Sequence, residues 1–159
     1  MEILAYNIKY LDQILELWNN VIEEGIYFPQ IEKLTKENAD SYFKSQDFTG
    51  IAVEDNEVYG VYILHPNNIG RCGHICNASY AVSKRARGKG IGEMLVKDSM
   101  KQGAKLGYRI LQFNAVVISN NTAHKLYEKL GFNKIGIVKE GYLNINNIYE
   151  DIVLYYISL

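Results

Sequence analysis

Val82-Ser83-Lys84-Arg85-Ala86-Arg87-Gly88-Lys89-Gly90-Ile91-Gly92 is the stretch on which the reading of this chain turns. It joins a β-rich run, His74–Ser83, to a segment with Ile91, Met94 and Leu95 at helical spacing, and Gly107 stands where that helix should end. A strand that passes through glycines into a helix makes an anion cradle. Glycine lets the backbone approach a phosphate and adopt positive φ. The first N–H groups of the helix are free to point at it, and the helix dipole favours negative charge there. Lys84, Arg85, Arg87 and Lys89 add positive charge. A glycine-rich turn with a solvated basic face is the plainer alternative, and the loop alone does not choose. Two nucleotide readings are excluded. Position 93 is Glu, so the spacing is not G-x-G-x-x-G, and the acidic ribose partner is missing; Lys89 is followed by Gly, so there is no Walker sequence.

Working outward, Ile110–Ile118 reads as a strand and Ser119-Asn120-Asn121-Thr122 as a set of helix-capping residues. The helix behind them carries Ala123, Leu126, Tyr127 and Leu130 and stops at Gly131; Asn133–Lys139 and Ile152–Tyr156 are the last strands. Upstream, Ile3–Tyr6 reads as a strand and Lys9–Glu24 as a helix with Leu11, Ile14, Leu15, Trp18 and Ile22 on one face. Gly25–Gln30 is a loop, and Thr35 caps a helix to about Lys44. Ile51–Glu54 and Val58–Leu64 flank Asp55-Asn56 as a tight hairpin, and Pro66–Gly73 is a loop. The order βααββ, then βαβαββ, predicts an α/β domain with a mixed sheet. No repeat, low-complexity tract or linker divides residues 1–159, so a single domain is expected.

Composition narrows the function classes. With 48% hydrophobic residues the chain has material for a core and is not expected to be disordered. A net charge of −1 argues against a dedicated nucleic-acid binder. The N-terminus lacks a signal-peptide pattern, and the apolar runs are too short to span a membrane, so the expected address is the cytoplasm with no membrane partner. Two cysteines are no disulfide framework. Cys72, His74 and Cys76 are spaced two apart at the start of the His74–Ser83 run; on a strand, residues two apart lie roughly 6–7 Å apart, which would set the outer pair roughly 13 Å apart. Zinc holds sulfur at about 2.3 Å. One ion does not reach both unless the strand is broken there, and no metal is expected.

A resemblance then adds what spacing does not give. Val82–Gly92 resembles the acetyl-CoA motif of the GNAT (Gcn5-related N-acetyltransferase) superfamily, whose core Gln/Arg-x-x-Gly-x-Gly/Ala is met by Arg87, Gly90 and Gly92. Asn120-x-x-Ala123-x-x-Leu126-Tyr127-Glu128-Lys129-Leu130-Gly131-Phe132 resembles the later motif of that superfamily. The two stand in the right order, with one helix and one strand between them. The resemblance implies the acyl-CoA N-acyltransferase fold, an α/β domain with a mixed, centrally splayed sheet flanked by helices, and an enzyme that moves the acetyl group of acetyl-CoA to an amine. It implies that the backbone of Arg87, Gly88, Lys89, Gly90, Ile91 and Gly92 binds the CoA pyrophosphate. The pantetheine arm would then lie along the end of the Tyr80–Val82 strand, where an N–H near Val82 polarises the thioester carbonyl. Asn120 is expected to touch the cosubstrate and to act in catalysis. Tyr127, about two helical turns further on the same face, is the expected proton donor to the departing thiolate. Core packing for Tyr127 and a plain cap for Asn120 stay open.

A second likeness is narrower. His74-Ile75-Cys76-Asn77-Ala78-Ser79-Tyr80-Ala81-Val82 and Leu111-Gln112-Phe113-Asn114-Ala115-Val116-Val117 resemble a subgroup that includes fungal azetidine-2-carboxylate N-acetyltransferases, with Asp98-Ser99 and Tyr149-x-Asp151 also similar. That likeness implies substrate contacts at Asn77 and Asn114; the subgroup often has Trp in place of Tyr127. Strand interiors disfavour Asn, and buried amides need partners, so two structural amides remain the plainer reading. No general base stands out. His65, His74 and His124 read as surface or structural residues, with His124 on the motif helix but off the Asn120–Tyr127 face. The expected acceptor is a small amine such as an amino acid; the alternatives are a protein or peptide N-acetyltransferase and a non-catalytic acyl-CoA sensor. Members of the superfamily are often dimers, so a homodimer is an expectation from resemblance alone, with Val153–Ile157 serving either a dimer or the core.

Overall fold

In the computed structural model, which describes residues 1–159, the Asp55-Asn56 turn holds both residues at positive φ, 51° and 64°. That is the twist-matched hairpin geometry for which Asp and Asn are suited. It joins β2 (Phe48–Glu54) to β3 (Glu57–Pro66). With β1 (Glu2–Ala5), β4 (Ile75–Val82), β5 (Ile110–Val117), β6 (Asn133–Leu143) and β7 (Tyr149–Ser158) they form a seven-stranded sheet in the order β1-β2-β3-β4-β5-β7-β6. Every neighbouring pair is antiparallel except β4 and β5, which run parallel. The fold is the mixed α/β sheet flanked by helices that the sequence predicts.

Four helices cover the sheet: α1 (Leu11–Glu24), α2 (Lys36–Lys44), α3 (Ile91–Lys105) and α4 (Asn121–Lys129). Strand alternation sorts the core onto two faces. Ile51, Val53, Val61 and Ile63 pack with Ile14, Trp18 and Val21 of α1 and Phe43 of α2. Ala52, Tyr62 and Leu64 pack on the other face with Leu95 and Val96 of α3 and Tyr127 of α4. A strand buried on both faces reads as a continuous apolar run, which is why Val58–Leu64 shows little alternation.

The feature that positions the site is a failure of pairing. β4 and β5 are registered only at Ile75–Ile110 and Cys76–Leu111. Beyond them the strands separate, and the pairing of β5 with β7 shifts between Phe113 and Val116. Gly107 and Gly131, at φ 90° and 84°, end α3 and α4 as left-handed residues just past each helix.

Several limits differ from the sequence reading, each for a local reason. Ile8–Tyr10 form a 3-10 turn, with the Asn7 side chain accepting from the Lys9 N–H, so α1 begins at Leu11. β6 runs to Leu143 and β7 begins at Tyr149. Most of β6 is an exposed edge strand, so no apolar alternation marks it, and Glu140 interrupts it at φ 53° with its N–H on Asp151 Oδ1. β7 lies between β5 and β6; of the Val153–Ile157 segment, Val153 and Tyr155 are buried in the core while Tyr156 is exposed. Cys72 is exposed in a 3-10 turn, whereas Cys76 is buried with its thiol on Ile110 O and pushed up to about 11 by burial. No group of three or more His, Cys, Asp or Glu is arranged to hold a metal ion, and no helix is long and apolar enough to cross a membrane.

Candidate active site

Where β4 and β5 part, a cleft of about 690 Å³ opens, walled by the start of α3, by α4 and by the Tyr27–Gln30 connection between α1 and α2. Of the residues singled out from the sequence, Asn77, Val82, Arg87, Gly88, Gly90, Ile91, Gly92, Asn114, Asn120 and Tyr127 line it. Lys89 does not; it borders a smaller depression with Met1, Glu54 and Tyr59.

The glycine loop has a specific reason for its glycines. Gly88 and Gly90 both sit at φ 79°, and a Cβ built on either would meet nothing within 4 Å. Backbone conformation, not crowding, demands glycine, and the space before the loop is open. Gly90 precedes α3, and the first N–H to return to the helix is Met94 to Gly90 O. The N–H groups of Ile91, Gly92 and Glu93 therefore have no intrahelical acceptor. Gly92 differs from the other two, since a Cβ there would make only ordinary contact with Leu126, at 3.8 Å.

The basic residues beside the loop are largely occupied. Arg87 donates a fork to Glu24 at 2.7 and 3.1 Å, Lys84 approaches the same carboxylate at 3.7 Å, and Arg85 pairs with Glu57. The attraction for an anion therefore rests on N–H groups and the helix dipole more than on side-chain charge. Arg87 also lies over the Tyr27 ring, 5.8 Å from its centroid, which ties the α1–α2 connection to the loop.

The β4 edge supplies further free groups. Ser83 N–H bonds Tyr59 O, which fixes the alternation of the antiparallel β3–β4 ladder. By that alternation Ala81 and Ser79 turn their N–H and C=O toward β3, while Val82, Tyr80 and Ala78 turn theirs into the splay. β4 has no ladder partner on that side past Cys76.

Tyr127 is buried, its ring 4.6 Å from that of Phe113, 5.3 Å from Phe132 and 5.5 Å from Tyr155, centroid to centroid. Burial, with a smaller effect of neighbouring Tyr155, pushes its phenol well above the usual tyrosine range. Other buried tyrosines use their hydroxyls inside the protein: Tyr62 on Asp98, Tyr142 on Phe28 O, Tyr155 on His124. The Tyr127 hydroxyl has no protein partner and is not sealed from the cleft. Asn120 caps α4, its Oδ1 accepting from Ala123 N–H at 3.2 Å, which leaves the Nδ2 donors unused beside the cleft. Packing and capping are thus present at both residues, together with access to the cleft.

The family model of the acetyltransferase (GNAT) family matches residues 12–132. The chain belongs to the GNAT family. N-acetyltransferase aca1 of Schizosaccharomyces pombe is 30% identical over 171 aligned residues, covering 94% of this chain and 82% of that protein. A GCN5-related N-acetyltransferase from Kribbella flavida superposes with a TM-score of 0.91 at 30% identity, covering 99% of this chain and 97% of that one. The yncA protein of Salmonella typhimurium, solved with its cofactor acetyl-CoA, shares the fold at a TM-score of 0.92 and 15% identity, covering 100% of this chain and 94% of that one. This GNAT protein is an acetyl-CoA-dependent N-acetyltransferase.

Some cleft residues of this GNAT domain carry no signal in the sequence. Gln30 lines the cleft with its Oε1 buried and without a partner. Its loop is pinned from far along the chain, by Ile145 N–H on Gly25 O and the Tyr142 hydroxyl on Phe28 O. The histidines separate on hydrogen bonding. A carbonyl only accepts, so His124 carries its proton on Nε2, which donates to Val117 O at 3.0 Å, while Nδ1 accepts from Tyr155 at 2.7 Å. Both its nitrogens are engaged. His74 is exposed and outside the cleft. His65 lines the cleft, donates from Nδ1 to Pro66 O and keeps Nε2 free to accept. Asn67 completes the set: its Oδ1 accepts from Asn77 Nδ2 at 3.2 Å and from Asn114 Nδ2 at 2.5 Å.

Proposed function

We propose that this enzyme acetylates the amine of a small molecule, an amino acid or a similar metabolite. The observation that carries the reading is the chemistry of the cleft end where Asn77 and Asn114 meet. Its polar groups are neutral amides and His65, and the one carboxylate among the cleft-lining residues, Glu93, is held by Lys97 and Lys129 at the start of α3. A polyamine or lysine-rich segment would find no counter-charge there. The amide N–H groups of Asn77 and Asn114 suit a carboxylate or carbonyl, and the orphan Gln30 Oε1 suits an N–H donor.

Acetyl-CoA supplies the activated acetyl thioester. The groups on the protein fit it: unpaired N–H groups at Gly90–Gly92, open space before Gly88 and Gly90, and an unpaired β4 edge at Val82. In this reading the Arg87–Gly92 backbone holds the pyrophosphate and the Val82 edge aligns the acyl arm. Asn77 and Asn114 orient the acceptor, and Asn120 holds the reacting groups in line. His65 Nε2 takes the proton from the amine, and Tyr127 hydrogen-bonds and protonates the leaving thiolate. Its raised phenol keeps the proton available at neutral pH.

The test is thiol release from acetyl-CoA against amino acids including azetidine-2-carboxylate, polyamines and short peptides, with products identified by mass spectrometry. Turnover of amino acids supports the reading. Turnover of peptides alone moves the acceptor to a protein amine, and silence despite CoA binding makes the domain an acyl-CoA sensor.

A further inference from the structure

The mouth of the splay is bridged by a side chain from outside both strands. Asn77 follows directly on Cys76, where the β4–β5 ladder stops, and Asn114 lies in the irregularity of β5 between Phe113 and Val116, where its pairing with β7 is interrupted. No backbone ladder joins the strands there. Asn67, in the loop after β3, accepts on one oxygen from both amides. Asn67 is itself held by its N–H on Ile75 O at 2.8 Å and its Nδ2 on Asn68 Oδ1 at 2.6 Å.

A carbonyl oxygen has two lone pairs, and both on Asn67 Oδ1 are taken. Asn77 and Asn114 must each turn an NH₂ toward Asn67; flipping either amide would set oxygen against oxygen and lose a hydrogen bond. Asn114 is fixed a second time, since its Oδ1 accepts from Gln112 Nε2 at 3.0 Å. One N–H of each amide is used, and one remains.

We infer that Asn67 is a positioning residue: it locks the rotameric state of the Asn77 and Asn114 amides and the spacing of β4 and β5 at the acceptor end, so that acceptor affinity depends on a residue that does not itself line the cleft. The inference rests on the proposed role of Asn77 and Asn114 in holding the acceptor.

Two readouts test it. In a ¹⁵N-labelled sample without any substrate, the side-chain NH₂ resonances of Asn77 and Asn114 are expected to move to non-hydrogen-bonded positions in Asn67→Ala and to stay hydrogen-bonded, shifted downfield, in Asn67→Asp, whose carboxylate still accepts from both. In kinetics with azetidine-2-carboxylate, or with the amino acid of the panel turned over fastest, Asn67→Ala is expected to raise acceptor KM roughly tenfold while acetyl-CoA KM stays within about twofold. A purely structural role would instead lower the melting temperature and disturb both KM values together, and that result would overturn the inference. So would unmoved amide resonances, or an unmoved acceptor KM when Asn77→Ala and Asn114→Ala each raise it; the acceptor reading would then survive alone. If Asn77→Ala and Asn114→Ala leave acceptor KM unchanged, the acceptor reading falls and takes this inference with it.

Discussion

Replacing Tyr127 by Phe isolates the hydroxyl from the ring. The ring sits among Phe113, Phe132 and Tyr155, and Phe keeps that packing. The hydroxyl has no protein partner, so its removal strands no buried donor or acceptor. Stability should change by no more than about 0.5 kcal/mol, a melting shift of at most about 2 °C for a domain of this size. Activity should respond differently. If the hydroxyl protonates the thiolate, kcat falls by about 10²–10⁴, equivalent to about 3–5 kcal/mol in the barrier. Tyr127→Ala is the contrasting control, since losing a buried aromatic ring costs about 3–5 kcal/mol of stability as well. Thiol release at saturating acetyl-CoA, followed between about pH 6 and 9 and paired with thermal melts, separates the two effects. Burial raises the Tyr127 phenol above its usual range, so the wild-type rate should show no alkaline fall from this group within that window. A Phe variant that melts normally and retains kcat within about threefold would refute the argument and leave Tyr127 as a packing residue.

Three further outcomes are expected. Gly90→Ala forces a Cβ onto a residue at φ 79°, which costs about 1–2 kcal/mol in a melt and raises acetyl-CoA KM, while Lys89→Ala, outside the cleft, leaves that KM near wild type. His65→Ala should lower kcat/KM by about tenfold or more without changing acetyl-CoA affinity, as measured by initial rates and calorimetry. Tyr62 and Tyr127 are held protonated, by burial first and in Tyr62 also by its bond to Asp98. Their folded pKa values lie above the unfolded value near ~10, so the stability they confer is complete below that pH and is lost as pH rises through and beyond it, a loss that denaturant titrations at alkaline pH will measure.

Much of the fold was legible because its signals are local. The hairpin at Asp55-Asn56, the caps at Thr35 and Asn120 and the stops at Gly107 and Gly131 each follow from the conformational preference of the residues in the turn. The glycine loop was legible for the same reason: positive φ at Gly88 and Gly90 is local chemistry. Strand limits failed where burial does not alternate, as along the exposed edge strand β6. The neutralisation of Arg87 and Lys84 by Glu24 was invisible, because 63 residues separate Arg87 from its partner. The end of the cleft proposed for the acceptor was hardest to read. Asn77 and Asn114 looked like isolated amides on two strands; what joins them is Asn67, 47 residues before Asn114, and no periodicity links a loop asparagine to a bulge on a distant strand. Likewise His65 and His124 differ only in what their ring nitrogens meet after folding.

The most direct test of the account is a crystal structure of the protein with CoA and an N-acetylated amino acid. The expected result is the pyrophosphate on the N–H groups of Gly90–Gly92, the pantetheine arm between the parted strands along Val82, and the product's amide beside Tyr127 with its carboxylate on Asn77 and Asn114. CoA lying elsewhere, or the product held away from those two amides, would contradict it.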